Sequence, residues 1–112
     1  MTRRWHEVTV DTTTWWPLSG PLPVAGAPVV VSVDGVDVAV VRLGDRFVAF
    51  DDTCSHRQCP LSEGELDERT VTCPCHRSRF DLTTGAPLDG PARQPIRIRR
   101  VVPDGDGLLI ER

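Results

Sequence analysis

The chain has 112 residues, 39% of them hydrophobic and 26% charged, with a formal net charge of −3. That length suits one domain with a modest core, and the composition is that of an ordinary globular protein. The acidic balance argues against general binding to nucleic acid or to anionic membrane surfaces, and no run approaches the roughly 18 apolar residues of a membrane span.

The chain begins MTRRWHEVTV. Its twin arginine, Arg3 and Arg4, would suggest an export signal only if an apolar run followed. Here His6, Glu7, Thr9 and Asp11 interrupt any such run. The expectation is a cytoplasmic protein with no membrane segment, and His6 reads as a solvated residue.

Residues 11–27, DTTTWWPLSGPLPVAGA, show no period and read as an ordered loop over the core. Trp15 and Trp16 within it suit a partner-docking patch or a cover for one end of the fold, and their large apolar area favours the cover.

Strand signals follow in succession: PVVVSV at 28–33, VDVAVVRL at 36–43, RFVAFD at 46–51, RTVTC at 69–73, IRIRRVV at 96–102 and GLLIE at 107–111. They are short, rich in Val and Ile, and several alternate apolar with polar residues. In IRIRR, Ile96 and Ile98 face one way and Arg97 and Arg99 the other. Asp34-Gly35 and Gly44-Asp45 read as hairpin turns, and PDGDG at 103–107 as a third turn. Helical periodicity is nearly absent. The predicted class is an all-β sandwich or barrel.

Two windows interrupt this pattern. DDTCSHRQCP at 51–60 contains Cys54-x-His56 and Cys59, and TCPCHRSRF at 72–80 contains Cys73-x-x-His76 and Cys75. All four cysteines and two of the three histidines lie there, with sixteen residues between His56 and Cys73. Three chemistries fit. A tetrahedral zinc site needs four of these six donors, although a zinc finger carries its cysteines as one close pair and its histidines as another. Two structural disulfides with incidental histidines would be unusual in a cytoplasmic chain. One Cys and one His from each loop suit a 2Fe–2S cluster in which two His replace two Cys on one iron.

At this point the sequence resembles the Rieske iron–sulfur family over nearly its whole length. The likeness rests on the C-x-H and C-x-x-H boxes and on their flanks. These are Cys59-Pro60-Leu61 after the first box, Phe80-Asp81-Leu82-Thr83-Thr84-Gly85 after the second, and Gly90-Pro91-Ala92. The resemblance implies a Rieske fold, an antiparallel β-sandwich or barrel base with a small inserted cluster-binding subdomain made of two loops. The single domain would span 1–112, with the base at about 1–51 and 91–112 and the subdomain at about 52–90. It also implies one Rieske 2Fe–2S cluster, with Cys54 and Cys73 on one iron and His56 and His76 on the other. Neutral imidazoles favour the ferrous state at their iron, which lifts the potential to about −150 to +300 mV against roughly −400 mV for all-cysteine ligation.

The resemblance further pairs Cys59 with Cys75 as a disulfide, a feature of the family's high-potential branch. Ser78 matches a serine that hydrogen-bonds a cluster sulfur, and Phe80 stands where high-potential members carry a tyrosine with the same role. Gln58 and Arg77 replace two usual loop glycines. Arg57 matches a residue type found in ring-dioxygenase ferredoxins, and Arg57 and Arg77 together are candidate docking residues. The function implied is an electron-transfer component rather than a catalyst on its own, carrying electrons from a reductase to an oxygenase or similar terminal enzyme. Two further readings are a small Rieske subunit of an arsenite-oxidase-like or nitrite-reductase-like assembly, and an interaction module that binds zinc or no cluster.

Overall fold

A computed structural model describes residues 14–18, 22–24, 26–55 and 59–112. Eleven strands form three antiparallel sheets among the described residues. The central sheet has the order β2-β3-β4-β9, from β2 (Val29–Val33), β3 (Val36–Leu43), β4 (Arg46–Asp51) and β9 (Ile98–Arg99). A second sheet orders β1-β11-β10, from β1 (Trp15–Leu18), β11 (Gly107–Glu111) and β10 (Val101–Asp104). The third runs β5-β6-β7-β8, from β5 (Glu65–Asp67), β6 (Thr70–Thr72), β7 (Arg79–Asp81) and β8 (Pro87–Asp89). The third sheet lies in the chain between β4 and β9. No helix among the described residues is long and apolar enough to cross a membrane.

Period-two alternation explains why the central sheet is buried on both faces. On β3, Val38 and Val40 join Val33, Ala49, Leu108 and Ile110 in a core shared with the second sheet. Ala39 and Val41 point the other way. They join Val48, Phe50, Cys54, Leu61, Val71, Cys73, Phe80, Leu82, Ala92 and Ile96 in a core shared with the third sheet. The hairpin expected at Asp34-Gly35 forms with both residues in left-handed backbone, φ 53° and 82°, and aligns Val33 with Val36.

Two sequence expectations change. Residues 11–27 are not all loop, because Trp15–Leu18 is a strand paired with β11, Trp15 opposite Glu111 and Leu18 opposite Leu108. Pro17 is tolerated there because β1 is an edge strand. Trp16 packs on the core shared with the second sheet. Arg100 lies 5.2 Å from the Trp15 ring centroid and Arg112 5.6 Å from that of Trp16. Trp16 therefore covers the core of the second sheet, whereas Trp15, on the opposite face of the strand, meets Arg100.

The second change concerns IRIRRVV, which is two strands rather than one. Ile96 is buried and Ile98 partly buried on the same core, so the alternation holds. The chain then leaves β4 for β11 at Arg100. Arg99 is only 4% exposed because its Nε donates to Asp51 at 2.6 Å and its Nη1 to the Glu111 carbonyl at 2.9 Å. One guanidinium thus ties the central sheet to the second.

Candidate metal centre

Two loops carry the candidate donors, one leaving β4 of the central sheet and one joining two strands of the third sheet, and each contains a buried cysteine near its start. The first follows β4. The Asp52 amide donates to the Asp37 carbonyl at 2.8 Å. The buried Asp52 carboxylate accepts the amide and the hydroxyl of Ser62, both at 2.6 Å. Those bonds clamp the start of the loop to the 3-10 turn Leu61–Glu63 that ends it. The Cys54 amide then donates to the Cys59 carbonyl at 2.9 Å.

The second loop joins β6 to β7 and repeats this closure. The Cys73 amide donates to the Ser78 carbonyl at 2.7 Å, and the Arg77 amide donates back to the Cys73 carbonyl at 3.0 Å. Arg77 adopts φ +64°. An L-residue there carries a penalty of about 1–2 kcal/mol, and the two hydrogen bonds across the loop hold it in place. The glycine usual at this point of the family pattern is therefore not needed to make the turn.

Cys54 and Cys73 are not in a disulfide and are buried in the core shared with the third sheet. Pro74, Cys75, His76 and Arg77 are exposed. Cys59 and Cys75 are joined as a disulfide across the loops, with Cα atoms 6.4 Å apart. The sulfurs of Cys59, Cys73 and Cys75 all lie within 4.8 Å of one another. That trio is not a metal site, because two of its sulfurs are bonded to each other and a disulfide sulfur is not a thiolate ligand. His56, Arg57 and Gln58 lie outside the described residues.

Ser78 and Phe80 stand on either side of Arg79 at the start of β7, and both are fully buried. Phe80 pairs with Val71 in the ladder and belongs to the same core as Cys54 and Cys73. At the end of β7, Asp81 accepts the amide and hydroxyl of Thr83 at 2.7 and 2.5 Å. The Thr83 hydroxyl bond, then the Thr83 amide, holds the Asp81 carboxyl below its ordinary value. This turn returns the chain to β8.

In the sequence Gly90-Pro91-Ala92 is only a flank of the family pattern. In the fold, residues 90–95 form a strap that touches both loops. The Ala92 amide donates to the Ser78 hydroxyl at 3.1 Å, and the Ser55 hydroxyl donates to the Gln94 carbonyl at 2.6 Å. Gly90, at φ +88°, packs so closely that a Cβ would fall 2.6 Å from Ser78 Cα. No local signal in the sequence marks these contacts, since the partners are 14 and 39 residues apart.

Residues 15–101 match the family described as the Rieske [2Fe-2S] domain. The chain belongs to that family. This Rieske domain is 43% identical over 61 residues to the anthranilate 1,2-dioxygenase ferredoxin subunit of Burkholderia cepacia, a match covering 54% of this chain and 56% of that relative. Its fold matches the ferredoxin of carbazole 1,9a-dioxygenase from Nocardioides aromaticivorans IC177 with TM-score 0.77 at 36% identity, covering 84% of this chain and 95% of that one. It also matches a chain in the complex of reduced oxygenase and oxidized ferredoxin in carbazole 1,9a-dioxygenase, with TM-score 0.75 at 33% identity, covering 80% and 83%.

The cofactor of this Rieske domain is one 2Fe–2S cluster, and the donor set fits it. Two buried cysteines stand outside any disulfide, the other two sulfurs are held in one, and an imidazole stands exposed on the second loop. No Asp or Glu occurs in residues 53–62 or 72–80, so the donors are sulfur and nitrogen, the soft set that iron–sulfur chemistry uses.

Proposed function

We propose that this Rieske domain is a one-electron carrier that takes electrons from a reductase and delivers them to an oxygenase or similar terminal enzyme. The observation that carries the reading is the polarity of the centre. Cys54 and Cys73 are buried in the core, and His76 is exposed at the loop tip. In this reading Cys54 and Cys73 hold one iron and His56 and His76 the other. The bound cluster supplies reversible one-electron redox, with the added electron on the histidine side. The protein buries the thiolate side, presents the imidazole side to a partner and excludes water from the sulfur end.

The domain plan that accompanies this reading is a base at about 1–51 and 91–112 and a cluster subdomain at about 52–90. The compartment is the cytoplasm. A disulfide there runs against the usual redox balance. Cys59–Cys75 closes a loop with a sequence separation of 16, which the chain-entropy view values at about 3 kcal/mol. The dioxygenase ferredoxins named above support the acceptor class.

A second reading, a small Rieske subunit of a larger oxidoreductase, draws on the Cys59–Cys75 disulfide. A potential within reach of quinol-oxidising Rieske proteins would favour it. The basic test is elemental and spectroscopic. Purified protein should be brown, hold about two irons and two sulfides per chain, and give a low-temperature EPR signal when reduced with dithionite. His76→Ala should lose the cluster. Colourless protein with one bound zinc, recovered from iron-replete cells, would overturn the proposal.

A further inference from the structure

Charge is distributed unevenly around the candidate centre. The chain has 16 acidic residues against 13 arginines. Residues 53–62, 72–80 and 90–103, within the two loops, the strap and the start of the returning strands, contain no Asp or Glu, although Asp52, Glu63, Asp81, Asp89 and Asp104 stand directly at their ends. Most arginines in these stretches have partners. Arg79 pairs with Asp89 at 3.0 Å and Arg99 with Asp51 at 2.6 Å. Arg97 donates to the Arg112 carbonyl at 2.8 Å, and Arg100 lies over Trp15 beside Glu111. Among the described residues of these stretches, Arg77, Arg93 and Arg97 are the exposed arginines outside the side-chain ion pairs above, and Arg97 is tied to main chain, which leaves Arg77 and Arg93.

Arg93 occupies a particular place. The residue before it, Ala92, is tied to the second loop through Ser78, and the residue after it, Gln94, is tied to the first through Ser55. Its position is thus anchored from both sides. Pro91 and Pro95 flank it and restrict the backbone further. A cation presented this way loses less freedom on contact than one on an open loop.

We propose that Arg93, together with Arg77, forms a cationic rim that docks an acidic surface of the electron-transfer partner. This rests on the electron-carrier reading above and adds the chemistry of the partner. The sequence pattern marks Arg57 and Arg77 for docking, and Arg93 joins them because the strap is bonded to both loops. The acidic remainder of the molecule repels an acidic partner, so attraction confined to the rim orients the encounter as well as speeding it.

The test uses two small one-electron oxidants of opposite charge on the reduced holoprotein. Tris(oxalato)cobaltate(III) carries 3− and hexaamminecobalt(III) carries 3+. Each takes one electron from the reduced cluster and becomes Co(II), with no other reactant. At about 10 mM ionic strength, Arg93→Glu should slow the anionic oxidant by about threefold or more and speed the cationic one. Both differences should close by about 0.5 M salt. Arg93→Gln should fall between wild type and Arg93→Glu, and Arg93→Lys should keep the wild-type rates. Arg46→Glu serves as the control. It lies at the far end of β4, about 16 Å from Asp51 at 3.3 Å per residue, and because screening at this salt reaches about 30 Å it should shift both rates in the same senses but by less than Arg93→Glu. The inference is overturned if Arg93→Glu and Arg93→Gln match Arg46→Glu. It is also overturned if both oxidants change in the same direction, which would signal an altered cluster rather than an altered rim charge. A wild-type protein with no reducible centre would instead remove the carrier reading, and the rim's role with it.

Discussion

Ser78 and Ala92, fourteen residues apart, are joined inside the core, the Ala92 amide donating to the Ser78 hydroxyl at 3.1 Å. The serine is fully buried and the alanine nearly so. Accepting this bond leaves the hydroxyl proton available for donation, so one side chain can secure the strap and address a cluster sulfur. Ser78→Ala should therefore have two effects. Leaving the Ala92 amide buried and unpaired should lower stability by about 1–3 kcal/mol. Losing a donor that favours the more negative, reduced state should lower the potential by roughly 40 mV for each kcal/mol of differential stabilisation. Urea unfolding and protein-film voltammetry read the two effects separately. Destabilisation at an unchanged potential would leave Ser78 with the strap alone.

Phe80 bears on the same tuning. It is fully buried in the core that contains Cys54 and Cys73. Phe80→Tyr adds only an oxygen at the ring tip, and a hydroxyl aimed at the cluster would stabilise its reduced form. The potential should rise by roughly 40 mV for about 1 kcal/mol of differential hydrogen bonding, with the visible spectrum preserved. A potential at or below the wild-type value in voltammetry would mean that the ring tip is not directed at the cluster.

Gly90 sets the distance between strap and loop. Its φ is +88°, and an added Cβ would meet Ser78 Cα at 2.6 Å and the Arg77 carbonyl at 3.0 Å. Gly90→Ala therefore combines backbone strain with a collision against main chain. The expected loss exceeds about 1 kcal/mol, and cluster retention on storage should fall with it. Gly35→Ala, with open space around its Cβ position, separates strain alone from strain plus collision. Equal losses for the two in thermal unfolding would argue that strap packing contributes little.

Arg99 should resist conservative replacement. It makes two directed bonds, to Asp51 and to the Glu111 carbonyl, from a side chain that is 4% exposed. Lysine brings one point charge in place of a planar fork, so Arg99→Lys should lose at least one of these bonds, about 1–3 kcal/mol. Arg99→Ala should lose more, because Asp51 then keeps a partly buried charge without a partner. Chemical denaturation of the two variants gives the ranking, and a lysine variant as stable as wild type would contradict it.

Asp81 adds a pH dependence of known sign. Thr83 holds its folded carboxyl below the ordinary value. A depressed folded pKa contributes stability above the unfolded value, and that contribution disappears as pH falls through the folded one. Thr83→Val removes the hydroxyl bond. The stability difference between wild type and Thr83→Val should be present near neutrality and shrink in acid. A gap that stays constant from pH 7 to pH 3 in denaturant titrations would mean that Thr83 acts by packing alone.

The strands that carry their own pattern were legible in the sequence. VDVAVVRL, RFVAFD and GLLIE are long or regular enough for their β-branched residues to select extended backbone, and Asp34-Gly35 selects the turn between two of them. The candidate donors also stand out in the sequence, four cysteines and two histidines in two short windows, and the structure describes all of them but His56. Tertiary structure decided the rest. Trp15–Leu18 is a strand only because β11 lies beside it, and a four-residue stretch containing proline has no period of its own. Strands of three residues such as Glu65–Asp67 and Pro87–Asp89 are defined by their neighbours rather than by propensity. Arg99 alternates correctly but is buried, since the face it points to is covered by the second sheet. The strap over the centre depends on hydrogen bonds spanning 14 and 39 residues. Local sequence governs backbone preference and donor chemistry, whereas contacts between distant segments form only when the sheets are stacked, and those contacts place Arg93 beside the loops.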